Sequence, residues 1–401
     1  MKNRSPIFVL FVTILIDLLG FGLIIPIFPI FARELHATNL EIGLIAGIYS
    51  LMNFLFAPFW GTLSDKIGRR PVMLISIAIT MLSYVFFAFT HSLVYLIISR
   101  VFAGIGSANI SAAQAYISDI TEPKDRAKNM GLIGAAFGLG FIFGPPVGGY
   151  LKAMSGAGSV DFVGYFAAGL CAFNFVLAYL FLPESLKVKQ SQKKFTYKPI
   201  GNLIHELKKP LIRELISINF IFIAAFSMMQ ITSSILWMER YQLDEKQIGF
   251  VFMYIGISSA IVQGGLIGKL SKAFGEKQLL LIGSILMCIG LASIPFVPTD
   301  WFYLQLISLT LIALANGCLT PSITSLISQL APKNEQGQAL GTNQSFGSLA
   351  RVIGPALGGV LYTYHFTLPY VVGGVFMLLS YLIAKQLNKQ IVPVKTNAEV
   401  Q

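Results

Sequence analysis

Gly144-Pro145-Pro146-Val147-Gly148-Gly149 is answered in the second half of the chain by Gly354-Pro355-Ala356-Leu357-Gly358-Gly359, and this echo decides the architecture. Each stretch lies inside a long apolar run. Each therefore reads as a helix with a proline bend and a row of small residues, which lets a second helix approach backbone to backbone. Working outward, apolar stretches of roughly the 20 residues that a bilayer requires lie near 7–32, 42–63, 71–90, 93–118, 129–151 and 162–182. A second set lies near 214–238, 247–268, 279–297, 302–330, 338–363 and 369–388. About twelve spans follow, in two sets that repeat each other. The loop Gly61-Thr62-Leu63-Ser64-Asp65-Lys66 after the second span is answered more weakly by Gly268-Lys269-Leu270-Ser271-Lys272 after the eighth.

The composition supports the same reading. The 401 residues are 55% hydrophobic and 12% charged, with a mean hydropathy of +0.72. Soluble domains carry about 25% charged residues, and a soluble fold of this length lacks the interior to hide so much apolar surface. The first apolar run is too long for a signal peptide and lacks a small-residue cleavage site. The net charge of +11 is scattered through short connectors rather than gathered on one domain. Only Arg33, Lys152, Arg240 and Lys246 fall in one alternate set of connectors, and Arg100 and Arg351 fall inside spans. Every other Lys and Arg lies on the side of the N-terminus. By the positive-inside rule both termini are cytoplasmic, which places the chain as a multi-pass protein of the plasma (inner) membrane.

The predicted fold is thus all-α, with twelve transmembrane helices in two pseudo-symmetric bundles. Residues 1–182 form an N-terminal six-helix bundle, 183–213 a lysine-rich cytoplasmic linker, and 214–401 a C-terminal six-helix bundle with a short cytoplasmic tail. A repeat of this kind places a small-molecule site between the lobes near the bilayer midplane. Enzyme chemistry finds no support. No paired carboxylates or Cys/His set are present, and His36, His91, His205 and His365 lie in loops or at span ends. No Gly-x-x-x-x-Gly-Lys-Ser/Thr loop is available for nucleotide drive. Cys171, Cys288 and Cys318 share no ligand spacing and read as small buried hydrophobes. No metal, cofactor or nucleic-acid partner is expected. The expected partners are the bilayer, a small molecule and protons, and the protein is expected to act as a monomer.

Single residues narrow the mechanism. Asp17 is the only carboxylate deep in a predicted span, and reversible protonation is the default reading of such a group. The alternative is a structural partner for Arg100 or Arg351. Arg100 lies about a third of the way into a span, where insertion costs about 2.5–3.5 kcal/mol, so it faces protein or water. Arg351 precedes the Gly354-Pro355 bend and can contact an anionic substrate, a proton-bearing acid or the opposite lobe. Amides are costly in lipid unless paired. Asn53, Asn109, Gln114, Gln230, Gln263, Asn343 and Gln344, together with Trp237 and Arg351, are therefore the candidate substrate contacts.

Gly61-Thr62-Leu63-Ser64-Asp65-Lys66-Ile67-Gly68-Arg69-Arg70-Pro71 resembles the signature loop of the major facilitator superfamily. The resemblance implies a gating role for Gly61, Asp65, Gly68, Arg69 and Arg70. Gly131, Gly140, Gly144, Pro145, Gly148 and Gly149 resemble the antiporter signature of its drug–proton branch. Ser99-Arg100-Val101-Phe102-Ala103-Gly104-Ile105-Gly106 resembles the superfamily's fourth-span motif, which implies a part for Arg100 in proton transfer; a buried structural cation is the equal alternative. The whole pattern is most similar to bacterial tetracycline exporters, including Ala112-Ala113-Gln114-Ala115-Tyr116-Ile117-Ser118-Asp119-Ile120-Thr121. The resemblance implies a proton-coupled antiporter that exports amphipathic drug-like compounds by alternating access. A symporter or facilitator of a sugar or other metabolite is the alternative on the same fold. The sequence departs from that family where spans three and nine lack acids (Leu82-Ser83-Tyr84 in the former) and where 257–263 lacks a histidine. These departures tell against tetracycline itself and leave proton coupling resting largely on Asp17.

Overall fold

The computed structural model describes residues 5–107, 110–121, 123–186, 206–262, 266–332 and 336–390. Asn109, Gln263 and most of the linker lie outside them. The N-terminal lobe comprises α1 (Ser5–Ile24), α2 (Ile27–Glu34), α3 (Asn39–Ile67), α4 (Arg69–Ala88), α5 (Leu93–Ser107), α6 (Ile110–Ile120), α7 (Pro123–Ser155) and α8 (Asp161–Phe181). The C-terminal lobe comprises α9 (Pro210–Tyr241), α10 (Glu245–Ile261), α11 (Ile267–Ser293), α12 (Tyr303–Leu330), α13 (Gln336–Tyr364) and α14 (Leu368–Gln390).

One expected span is built from two helices: the first breaks at Ile25-Pro26 into α1 and α2, because Pro26 removes a donor from the ladder. Among the described residues, nine helical segments are long and apolar enough to cross a membrane. The glycine-rich α7 and α13 and the short α10 complete the twelve passes. Large side chains such as Phe162, Phe173, Tyr179 and Phe181 project from the periphery of α8, where lipid rather than water is their natural solvent.

Local chemistry sets the helix ends, and it does so twice. Thr38 caps α3 through Glu41, and Asp244 caps α10 through Gln247, each in a reciprocal capping box. At the opposite end of α3, Gly68 (φ 115°) turns the chain into α4, and Gly275 (φ 73°) makes a like break within α11. A side chain at either position would be strained. These features define two ends of the molecule: a far end near the capping boxes and a linker end near the two glycine turns.

Candidate functional site

The glycine–proline segments explain how the lobes meet. On α7, Gly144 lies against Gly22 of α1, where an added Cβ would come within 2.7 Å of the Gly22 Cα. Gly148 abuts the Leu23 carbonyl, while Gly149 abuts Glu245 of α10 in the other lobe. On α13, Gly354 lies against Ala224 of α9 and Gly358 against Met228, while Gly359 abuts Asn39 of α3 in the other lobe. In each segment the first glycines bind the home lobe and the last binds the opposite one. Gly249 of α10 packs on the Pro145 carbonyl, and Gly43 of α3 packs on the Pro355 carbonyl. The two inter-lobe seams are therefore copies of each other, and both lie in the far half of their helices. Gly131 lies within α7, and Gly140 packs on Leu18.

Polar contacts reinforce the far-end closure. Arg33 of α2 pairs with Glu239 of α9 at 2.6 Å, and the Tyr362 hydroxyl donates to Glu239 at 3.2 Å. Lys246 lies 5.2 Å from the Tyr150 ring centroid across the other seam. Toward the linker end the close approach ceases. A side chain at Gly138 of α7 or Gly341 of α13 would meet open space.

A cavity of about 80 Å³ lies between the lobes, beside these seams. Its polar wall is Tyr49, Ser50, Arg100, Ser227, Gln230 and Arg351, and Phe21, Ile24, Phe28 and Ile231 supply apolar surface. Both lobes contribute. Phe21 and Tyr49 stack at 5.1 Å between centroids, which fixes one wall.

Arg100 is 5% exposed, lies over the Phe87 ring at 5.0 Å, and has an Nη2 without a hydrogen-bond partner. Arg351 has no ion-pair partner among the described residues and lies beside Asn219 and Gly347. Asp17 points into the N-terminal lobe, within electrostatic reach of Tyr49, Tyr84 and Cys171. The Tyr84 hydroxyl covers Gly20, one turn further along α1. Arg100, Arg351 and Asp17 all lie within electrostatic reach of Tyr49.

The structure distributes the other expected contacts unevenly. Gln230 and Arg351 line the cavity. Asn53 instead donates to Ser107 at 3.3 Å and ties α3 to α5. Asn343 is buried, and its carbonyl accepts from Asn219. Trp237 does not line the cavity: it is fully buried against Phe252, because its bulk fills the C-terminal core. Gln114 and Gln344 are exposed on α6 and α13. Tyr49, Ser50 and Ser227 line the cavity without having been singled out. A hydroxyl carried by an otherwise apolar run was the only signal for them.

The signature loop is an ion cluster at the linker end. Arg69 is buried and reaches Asp65 at 2.6 Å, Asp119 at 3.1 Å and the Ser64 hydroxyl at 2.5 Å. Glu184, from the chain leaving α8, accepts from the backbone N–H groups of Arg69 and Arg70 at 2.9 and 3.2 Å. A carboxylate at a helix N-terminus is favoured by the helix dipole. The Arg70 guanidinium bonds the Tyr179 carbonyl at 2.5 Å. Gly61 lies within the last turns of α3.

Two pseudo-symmetric bundles that close over a buried cavity at one end define a membrane transport protein. The chain belongs to the Major Facilitator Superfamily, whose model matches residues 10–271 and 216–395, and it is a secondary transporter rather than an enzyme. It is 30% identical to the class C tetracycline resistance protein of Escherichia coli over 90% of this chain and 91% of that one. It is also 30% identical to Multidrug resistance protein 2 of Bacillus subtilis (strain 168), over 94% of each. Among solved structures it resembles the human organic anion transporter MFSD10 (TETRAN), with a TM-score of 0.71 and 25% identity, covering 96% of this chain and all of that one.

Proposed function

We propose that the protein is a proton-coupled antiporter that exports amphipathic drug-like compounds across the plasma membrane by alternating access. The observation that carries this reading is Asp17, an acid inside the N-terminal lobe that shares Tyr49 with the cavity. The names of the relatives, tetracycline and multidrug resistance, support export. The Lys/Arg asymmetry supports a cytoplasmic linker end. On that assignment the far-end seams are the closed outer gate, and the conformation faces inward.

In the cycle, substrate enters from the linker end. Proton release from Asp17 toward the cytoplasm and proton loading from outside then bias opposite conformations of one two-state structure. A proton moving through 100 mV supplies about 2.3 kcal/mol, enough to sustain a substrate gradient of roughly fifty-fold. Gln230, Ser227 and Arg351 contribute substrate contacts from the C-terminal lobe, and Tyr49, Ser50 and Arg100 do so from the other.

A drug panel in a host lacking its own efflux pumps tests the reading. Asp17→Asn should lower resistance more than about tenfold at unchanged protein level, as a protonophore does to the native protein. Resistance equal to native in that variant, or resistance indifferent to the protonophore, overturns proton coupling.

A further inference from the structure

We infer that the cavity between the lobes takes an amphipathic organic anion, whose acidic group is held between Arg100 and Arg351. The charged residues lining it are these two arginines, one from each lobe; among the described residues none of the lining groups is acidic. Arg100 is almost wholly withdrawn from solvent, and its Nη2 lacks a hydrogen-bond partner. Leaving a guanidinium donor unpaired in a dry interior is costly. The neighbours of Arg100 are a phenyl face, two tyrosines and the Ser99 hydroxyl, which accepts from Nε at 3.4 Å, none of them an anion. Arg351 likewise lacks an ion-pair partner among the described residues. The nearby acid, Asp17, does not line the cavity.

A carboxylate, phosphate or sulfonate supplies what this arrangement lacks, because two guanidinium forks accept such a group with short, charge-assisted hydrogen bonds. The apolar wall of Phe21, Ile24, Phe28 and Ile231 then takes the rest of the molecule. A cavity of about 80 Å³ is small beside the roughly 300–1,000 Å³ of drug-sized sites. The ligand therefore binds as the lobes part further at the linker end, where Gly138 and Gly341 already face open space. The anion also bridges the lobes, since each contributes one arginine. The inference rests on the exporter reading for the direction of transport but not for binding.

Binding of three naphthalene probes to the purified full-length protein in phosphatidylcholine nanodiscs tests it: 1-naphthoate, the neutral 1-naphthamide and cationic 1-naphthylmethylammonium. Phosphatidylcholine excludes a competing anionic lipid, and phosphatidylglycerol nanodiscs form a separate arm that reports headgroup competition. Naphthoate should bind at least about tenfold more tightly than the amide. Arg351→Gln should reduce that preference to near unity, with Arg351→Lys intermediate. Asp17→Asn should bind naphthoate equally or more tightly. Tighter binding of the cation or the amide by the native protein overturns the inference without recourse to any variant. So does an anion preference that survives Arg351→Gln and Arg100→Gln. Loss of proton-driven export in cells with intact naphthoate selectivity would affect only the proposed function. Cation selectivity with intact proton-driven export would affect only this inference.

Discussion

The two lobes agree at their seams and disagree at their hairpins. Along the seams, Gly144, Gly148 and Gly149 do on α7 what Gly354, Gly358 and Gly359 do on α13, although Gly358 meets the Met228 side chain where Gly148 meets the Leu23 carbonyl. At the hairpins, Gly68 and Gly275 make the same turn, but the charges around them are inverted. In the N-terminal lobe a buried Arg69 gathers Ser64, Asp65 and Asp119. In the C-terminal lobe Glu276 occupies the position that follows the turn, and it accepts from Ser271 at 3.5 Å and Ser325 at 3.2 Å. The lesson is about tolerance. Backbone-to-backbone packing admits only glycine or another very small residue, so the seam survives duplication. A hairpin anchor needs only a partner of opposite polarity, so its charges can diverge.

Three outcomes break or sharpen that comparison. The largest effect is expected at the seam. Gly359→Val places a side chain against Asn39 of α3, and overpacking typically costs about 1–3 kcal/mol even where side chains can yield; here backbone would have to move. Transport should fall more than about a hundredfold, with the equivalent Gly149→Val matching it within a few-fold. A variant pair that differs widely would show that the seams are alike in sequence but not in function.

A smaller effect is expected at the hairpins. Arg69→Ala leaves two carboxylates without their shared cation, one about half exposed. The loss should be about 1–2 kcal/mol, discounted from the buried-pair range for solvent screening. Glu276→Ala removes two long, neutral-donor hydrogen bonds and should cost about 0.5 kcal/mol. Thermal unfolding midpoints taken at one scan rate should rank Arg69→Ala well below Glu276→Ala. Equal midpoints would mean that the ion cluster adds nothing to the N-terminal hairpin.

The sequence and the structure match best where a residue type admits a single use. The twelve passes, the two lobes and the glycine–proline helices were legible because lipid demands apolar length and close packing demands small residues. Asp17, Arg100 and Arg351 were legible because a charge within a span must find a purpose. The partners were not. Asp65 stood only as a gating residue implied by the resemblance; it pairs with Arg69, whereas the cap on α4 comes from Glu184 far along the chain. The Arg33–Glu239 latch joins two residues from different lobes that no local pattern links. Amides divide between wall and core according to helix rotation, which is why Gln230 lines the cavity while Asn343 is buried within its own lobe.

The claim underlying the whole account is that protonation of Asp17 shifts the balance between lobes closed and lobes parted at the far end. Spin labels at Met154→Cys and Tyr364→Cys, both exposed and one on each lobe, report that separation once Cys171, Cys288 and Cys318 are replaced. If protonated Asp17 favours the far-end-open state, then by linkage acid must populate it. The native protein should show a longer far-end distance as pH falls, and Asp17→Asn should show a distribution indifferent to pH. A pH response of equal size in the Asp17→Asn variant would contradict the account.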